Sequence, residues 1–247
     1  MESVLDRVIK QNTENVNLLK TKDYNIFSVL QIQSKEVLIC RMIADLLNPR
    51  GQHGAGAEYL KIFLRDCLGM EKMDTKLADQ AIVTAEYAID DERRIDIVIE
   101  IGSYFLPIEV KIYAADQKSQ CFDYYQYAKR RDAQAKVYYL TLDGHRPGKD
   151  STSSGSQSVP EEDIVCLSFR VHILNWLKAC KNCGNTGMIP ILEQFIHNIE
   201  QISGYTSEKV RNMVIDELLK SGDSLRAGMQ IADSINAAKA KRFCSKL

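Results

Sequence analysis

Two runs of alternating apolar residues, separated by a two-residue break, form the sharpest pattern in the chain. The first is Arg94-Ile95-Asp96-Ile97-Val98-Ile99-Glu100-Ile101. The second is Tyr104-Phe105-Leu106-Pro107-Ile108-Glu109-Val110-Lys111-Ile112, and Gly102-Ser103 lies between them. Isoleucines and other β-branched residues recurring at every second position around a short glycine-containing break predict two antiparallel strands and a tight turn. With Gly102 and Ser103 as the loop, Ile101 faces Tyr104, Asp96 faces Glu109, and Arg94 faces Lys111. Directly opposed side chains point the same way. Asp96, Glu109 and Lys111 therefore share one face as a charged cluster, while Ile95, Ile97, Ile99, Ile101, Leu106, Ile108, Val110 and Ile112 make the other face a core wall.

The remaining pattern frames this hairpin. Residues 2–20 read as an opening helix, and residues 25–30 as a short extended or helical piece. A helix over 35–47 places Val37, Cys40, Ala44 and Leu47 on one face, and Asn48-Pro49-Arg50-Gly51-Gln52-His53-Gly54 ends it with turn chemistry. A second helix covers 56–68, and a strand near 81–89 precedes the hairpin. A helix over 114–131 follows it, then a strand over 136–142 and a short strand over 164–167. The segment 143–163, with Ser151-Thr152-Ser153-Ser154-Gly155-Ser156, reads as a flexible polar loop. From 170 onward the periodicity is helical, over 170–182, 188–202, 206–220 and 223–243. This order predicts an α/β fold, with a sheet core flanked by helices and a helical C-terminal extension. The expected division is residues 1–24 as an N-terminal helix, 25–169 as the core, and 170–247 as a helical extension packed on it.

Composition narrows the class of protein. The chain of 247 residues is 45% hydrophobic and 26% charged with a net charge of −1, values ordinary for a soluble globular protein. That balance argues against broad nonspecific coating of nucleic acid and leaves room for a local basic patch. No apolar run is long enough for a membrane span. The first residues lack the plan of a signal peptide, and seven cysteines scattered among apolar neighbours fit reduced thiols. A cytoplasmic location without membrane contact is expected. Cys180 and Cys183 form a close pair, but no second Cys/His pair stands at zinc spacing.

The charged face carries the candidate chemistry. Two carboxylates side by side repel, and each raises the other's pKa. A divalent cation removes that conflict, and oxygen ligands at this spacing suit Mg²⁺, which keeps waters and phosphate oxygens in its shell. Such an ion can activate a water and neutralise charge developing on a phosphate. Lys111 is placed to orient or deprotonate the attacking water or to stabilise the transition state. The plain alternative is a solvated face on which Glu109 pairs with Lys111 or Arg94. Gln117, Gln120 and Tyr124, at i, i+3 and i+7 of the next helix, share a face that starts beside the cluster. Glu36 lies in the first turn of its helix, where a favourable dipole interaction also accounts for it. His53 follows a turn glycine and reads as a cap or a substrate contact.

Asp96, then Glu109-Val110-Lys111 on the next strand, then Gln120-x-x-x-Tyr124 on the following helix, resembles the PD-(D/E)XK nuclease superfamily with its restriction-endonuclease-like core. Residues 36–56, Ile173-Leu174-Asn175-Trp176-Leu177 and Gln194-Phe195-Ile196 are similar to a bacterial branch of uncharacterised members, so the likeness spans about 25–205. Ile95 stands where the family pattern has proline. The resemblance implies phosphodiester hydrolysis dependent on Mg²⁺ or Mn²⁺, with DNA as the first candidate substrate and RNA left open. It implies that Asp96 and Glu109 ligate the metal with help from the Val110 carbonyl, that Lys111 positions the water, and that Glu36 completes the metal shell. It also implies that Gln120 and Tyr124 support the site and contact substrate. Cutting both strands of a duplex would need two sites, hence a homodimer. A nuclease-fold binding or regulatory module without cleavage is the alternative.

Overall fold

The computed structural model describes residues 24–71, 74–183, 185–205, 212, 215–216 and 218–230. The opening helix expected over 2–20 and most of the helices expected after 205 lie outside the described residues. Residues 25–203 form one compact unit. A helical stretch over 222–230 belongs to a second unit. No helix among the described residues is long and apolar enough to cross a membrane.

The compact unit is built on a five-stranded mixed sheet, β1 (Ile82–Ala88), β2 (Arg94–Ile101), β3 (Tyr104–Lys111), β4 (Val137–Thr141) and β5 (Ile164–Ser168), in that spatial order. The first three strands are antiparallel, and β4 and β5 run parallel to β3. The hairpin has the register read from its sequence, with Ile101 opposite Tyr104 and Ile97 opposite Ile108. Gly102 takes φ 59 in its turn, a conformation open to glycine without strain. A parallel partner requires a crossover, and helix α3 (Gln120–Arg131) supplies it between β3 and β4. Helices α1 (Glu36–Leu47) and α2 (Glu58–Asp66) precede the sheet, and α4 (Leu174–Cys180) and α5 (Ile189–Ile202) follow it. The Trp176 indole N–H donates to the Tyr59 carbonyl at 2.8 Å and Phe63 meets its ring edge-on at 5.3 Å, which locks α4 to α2. The architecture is a mixed sheet flanked by helices, a restriction-endonuclease-like α/β fold.

Three expectations change. The charged face of the hairpin is not an open one: Val98 and Phe105 on it pack with Tyr124, Ala128, Val137 and Tyr139 under α3, so the sheet is covered on both faces. Ile95 joins that same cluster rather than the wall of Ile97. The alternation slips because the ladders are interrupted at Asp96. Pairing between β1 and β2 passes from Ala85 with Ile97 to Tyr87 with Ile95, and Glu86 between them takes φ 54. Second, α3 begins at Gln120 rather than 114, after Ser119 at φ 58, because Ser119 turns its hydroxyl to the Ser153 carbonyl at 2.8 Å. Third, the segment 143–163 is ordered by a turn of helix at Lys149–Thr152, a ribbon pairing Ser153 with Ser158, and a fully buried Ser151 whose hydroxyl accepts the Cys121 N–H.

Candidate active site

The site forms where β3 outruns its antiparallel neighbour. Regular pairing with β2 stops at Ile108, yet two further N–H groups, at Val110 and Ile112, still point towards that edge. Carboxylates take the place of the missing strand: Asp96 Oδ2 accepts from Val110 N at 2.8 Å and Glu36 Oε2 accepts from Ile112 N at 2.8 Å. A buried N–H without an acceptor is costly, so these bonds fix both acids against the end of β3. Glu36 reaches this point from the first turn of α1, and the turn at the other end of α1 is fixed by His53. His53 is buried, bonds the Asn48 carbonyl through Nε2 at 3.0 Å, accepts the Ala55 N–H through Nδ1 at 3.1 Å, and stacks on Tyr59. Both ring nitrogens are spent on the turn, so His53 is structural here.

Glu109 and Lys111 occupy the odd positions of the same strand end. Glu109 is 1% exposed and Lys111 7%. The Lys111 ammonium lies 2.6 Å from Glu109 Oε1, and no backbone N–H reaches either Glu109 oxygen. Burial, then the charge of Asp96, pushes the Glu109 carboxyl well above its ordinary range. Burial also raises Asp96, against the lowering effect of the Val110 N–H. For Lys111, burial alone would lower the pKa, but Glu109, Asp96 and Glu36 together hold it above the usual lysine value. Three carboxylates thus surround one ammonium, an arrangement that retains protons unless a further cation arrives.

Of the other expected residues, Gln120 and Tyr124 are buried. Gln120 Nε2 donates to the Tyr124 hydroxyl at 3.1 Å, and that hydroxyl donates to the Arg94 carbonyl at 2.5 Å. They brace β2 two residues before Asp96. Gln117 precedes the helix and so shares no helical face with them; its side chain accepts from Arg93 at 2.8 Å. Val110, between the two charged residues of β3, pairs with Leu140 on β4.

The sequence reading missed three neighbours. Cys40, one turn along α1 from Glu36, is fully buried, and its thiol is pushed up by burial and then by Asp96, Glu36 and Glu109. Tyr139 and Thr141 are the β4 partners of Glu109 and Lys111. Apolar periodicity disguised the first, and no local signal sets the register of a parallel strand reached through a helix.

A model of the PD-(D/E)XK nuclease superfamily matches residues 24–197, which covers the sheet, both acid-bearing segments, α3, α4 and the first part of α5. The chain belongs to the PD-(D/E)XK nuclease superfamily. No curated protein and no solved structure matches it. Within that superfamily the acids and lysine at the end of β3 are the natural place to look for nuclease chemistry. Among the described residues, no group of three or more His, Cys, Asp or Glu side chains forms a ready-made metal cage. The donor set is sparse and oxygen-based, unlike the closed nitrogen and sulfur cages of structural zinc.

Proposed function

We propose that the protein is a divalent-cation-dependent nuclease that hydrolyses phosphodiester bonds, with DNA the first substrate to test. The observation that carries this reading is the buried Glu109 carboxylate, crowded by the charge of Asp96 with a single ammonium, Lys111, 2.6 Å from one of its oxygens. A carboxylate in that position is costly to ionise unless a cation meets it. The residues fit a hard oxygen-seeking ion such as Mg²⁺ or Mn²⁺, which needs one or two carboxylates and otherwise keeps waters and phosphate oxygens. Asp96 and Glu109 would hold it, with the Val110 carbonyl assisting and Glu36 completing the shell directly or through water. Once bound, such an ion supplies charge neutralisation at the phosphate and a more acidic water.

The chain's own residues do the rest. Asp96 and Glu36 are pre-positioned by the N–H groups of β3, so little reorganisation is needed at the moment of reaction. Lys111 keeps its proton beside three carboxylates. It therefore acts as an orienting cation for the attacking water and the phosphate, and the acids around it oppose a role as general base. Gln120 and Tyr124 keep β2, and with it Asp96, in place through the Arg94 carbonyl. Cutting both strands of a duplex would call for two copies of the chain.

The test is incubation with plasmid, linear duplex, single-stranded DNA and RNA in Mg²⁺ or Mn²⁺, beside Asp96→Ala and Lys111→Ala. Cleavage abolished by both substitutions, in proteins that remain folded, is the expected result. Cutting that survives both removes the site. Binding of nucleic acid without cutting of any substrate favours the regulatory module instead.

A further inference from the structure

Gln120 and Tyr124 are turned inward, and the two loops that leave β3 and β4 follow the strand ends that carry Lys111 and its partner Thr141. Asp116 ties these loops together, accepting from the Tyr139 hydroxyl at 2.6 Å and from the Gly148 N–H at 2.7 Å. The Ser119 N–H adds a bond to the Asp150 carbonyl at 2.7 Å. The two loops therefore form a fixed rim with two exposed groups of distinctive chemistry.

On the first loop, Tyr113 is 69% exposed and directly follows Ile112, whose N–H is held by Glu36. On the second, His145 Nδ1 lies 2.6 Å from Asp143 Oδ1, which also accepts the His145 N–H at 3.2 Å. The imidazole stands edge-on to Tyr139 at 6.2 Å between centroids, and Tyr139 is the strand partner of Glu109. Nε2 of His145 has no partner among the described residues. Lys118 and Lys149 are exposed on the same two loops.

An imidazole with a carboxylate on one ring nitrogen can, when protonated, donate from the other to a phosphate. An exposed tyrosine ring offers a face to any base, at little cost in conformational freedom. We propose that this rim holds the substrate strand, His145 donating to a phosphate near the cut and Tyr113 stacking on a base beside it. Stacking on that ring requires a base that is out of the duplex, so the preferred substrate is a single-stranded or frayed nucleic-acid segment. The inference rests on the nuclease reading above and adds its substrate class and binding residues.

The experiment uses full-length protein carrying Glu109→Gln to suppress cutting, with a fluorescein-labelled single strand and the matching blunt duplex followed by anisotropy in magnesium buffer. The single strand should bind more tightly than the duplex. Tyr113→Ala should weaken single-strand binding by about tenfold and Tyr113→Phe should leave it nearly intact. His145→Ala should weaken it by about tenfold as well. In protein that retains Glu109, both alanine variants should raise KM with kcat little changed. A parent that binds strands while both alanine variants bind equally well overturns the inference and leaves the nuclease reading standing, as does an equal or stronger preference for blunt duplex. A Glu109→Gln parent that binds no strand, beside a wild type that cuts none, overturns both.

Discussion

Replacing Glu109 with glutamine should stabilise the protein when no divalent cation is present. The amide keeps the shape of the side chain and removes its charge. Two effects compete. Removing one member of a buried ion pair costs about 3–5 kcal/mol when it strands the partner charge, and Lys111 sits 2.6 Å from Glu109. Lys111 is not stranded, because Asp96 and Glu36 also act on it. Against this, ionising a carboxylate that is 1% exposed and crowded by Asp96, with Lys111 as its cationic partner, costs about 1–3 kcal/mol or more, and the second effect should win. In a chain of this size each kcal/mol moves Tm by about 2–4 °C, so the variant should melt roughly 2–12 °C higher in EDTA near pH 8. The pH dependence follows from the direction of the Glu109 shift. Its folded-state pKa lies above the unfolded value, so the native protein retains a proton that the unfolded chain loses, and native stability falls as pH rises through that window. The gap between variant and wild type should therefore widen from about pH 4 upward and level off above the folded pKa. Added Mg²⁺ should raise the Tm of the wild type and leave the variant nearly unmoved. Differential scanning fluorimetry across pH reads all three outcomes. A variant that melts below wild type at pH 8 in EDTA would show that the Lys111 pair outweighs carboxylate burial and that Glu109 needs no further cation.

Two further consequences can be measured directly. Protons must leave Asp96 and Glu109 before a cation binds, and both are held above the ordinary carboxyl range; apparent Mg²⁺ affinity from calorimetry should rise with pH, by up to about tenfold per unit for each proton displaced, and a flat profile between pH 5 and 8 would refute it. Tyr124→Phe removes the hydroxyl that donates to the Arg94 carbonyl and accepts from Gln120, and should cost about 1–3 kcal/mol in urea unfolding, with reduced kcat as Asp96 loses its support.

How much of this was legible in the chain depends on how local each constraint is. The hairpin could be read through because a two-residue turn fixes register and a period-two pattern fixes facing. Glu109 and Lys111 follow from those two facts, while Asp96 lies one residue past the last regular pair, Ile97 with Ile108. Glu36 could be named only through family resemblance, since a helix-turn acid has many reasons to exist and its bond to Ile112 spans a gap in sequence that no local rule bridges. The rest was hidden by competition between local and tertiary terms. Residues 114–119 have helical composition, yet Asp116 is claimed by Tyr139 and Gly148 and Ser119 by Ser153, and these bonds hold the backbone out of the helix. The serine-rich stretch after residue 150 reads as disorder, yet Ser151 is wholly buried because its hydroxyl answers the Cys121 N–H at the start of α3.

The break in alternation at Asp96 has the same origin and bears most on function. A strand that kept its pleat through residue 95 would send Ile95 to the wall with Ile97 and would leave the β2 backbone, not a carboxylate, to meet Val110. Interrupting both ladders at one position frees the Val110 and Ile112 N–H groups, and those groups recruit two acids from separate elements. The irregularity costs regular sheet pairing, and what it gains is a preformed pair of carboxylates set against a third, buried one. That exchange is the expected mark of a site where local regularity gives way to chemistry.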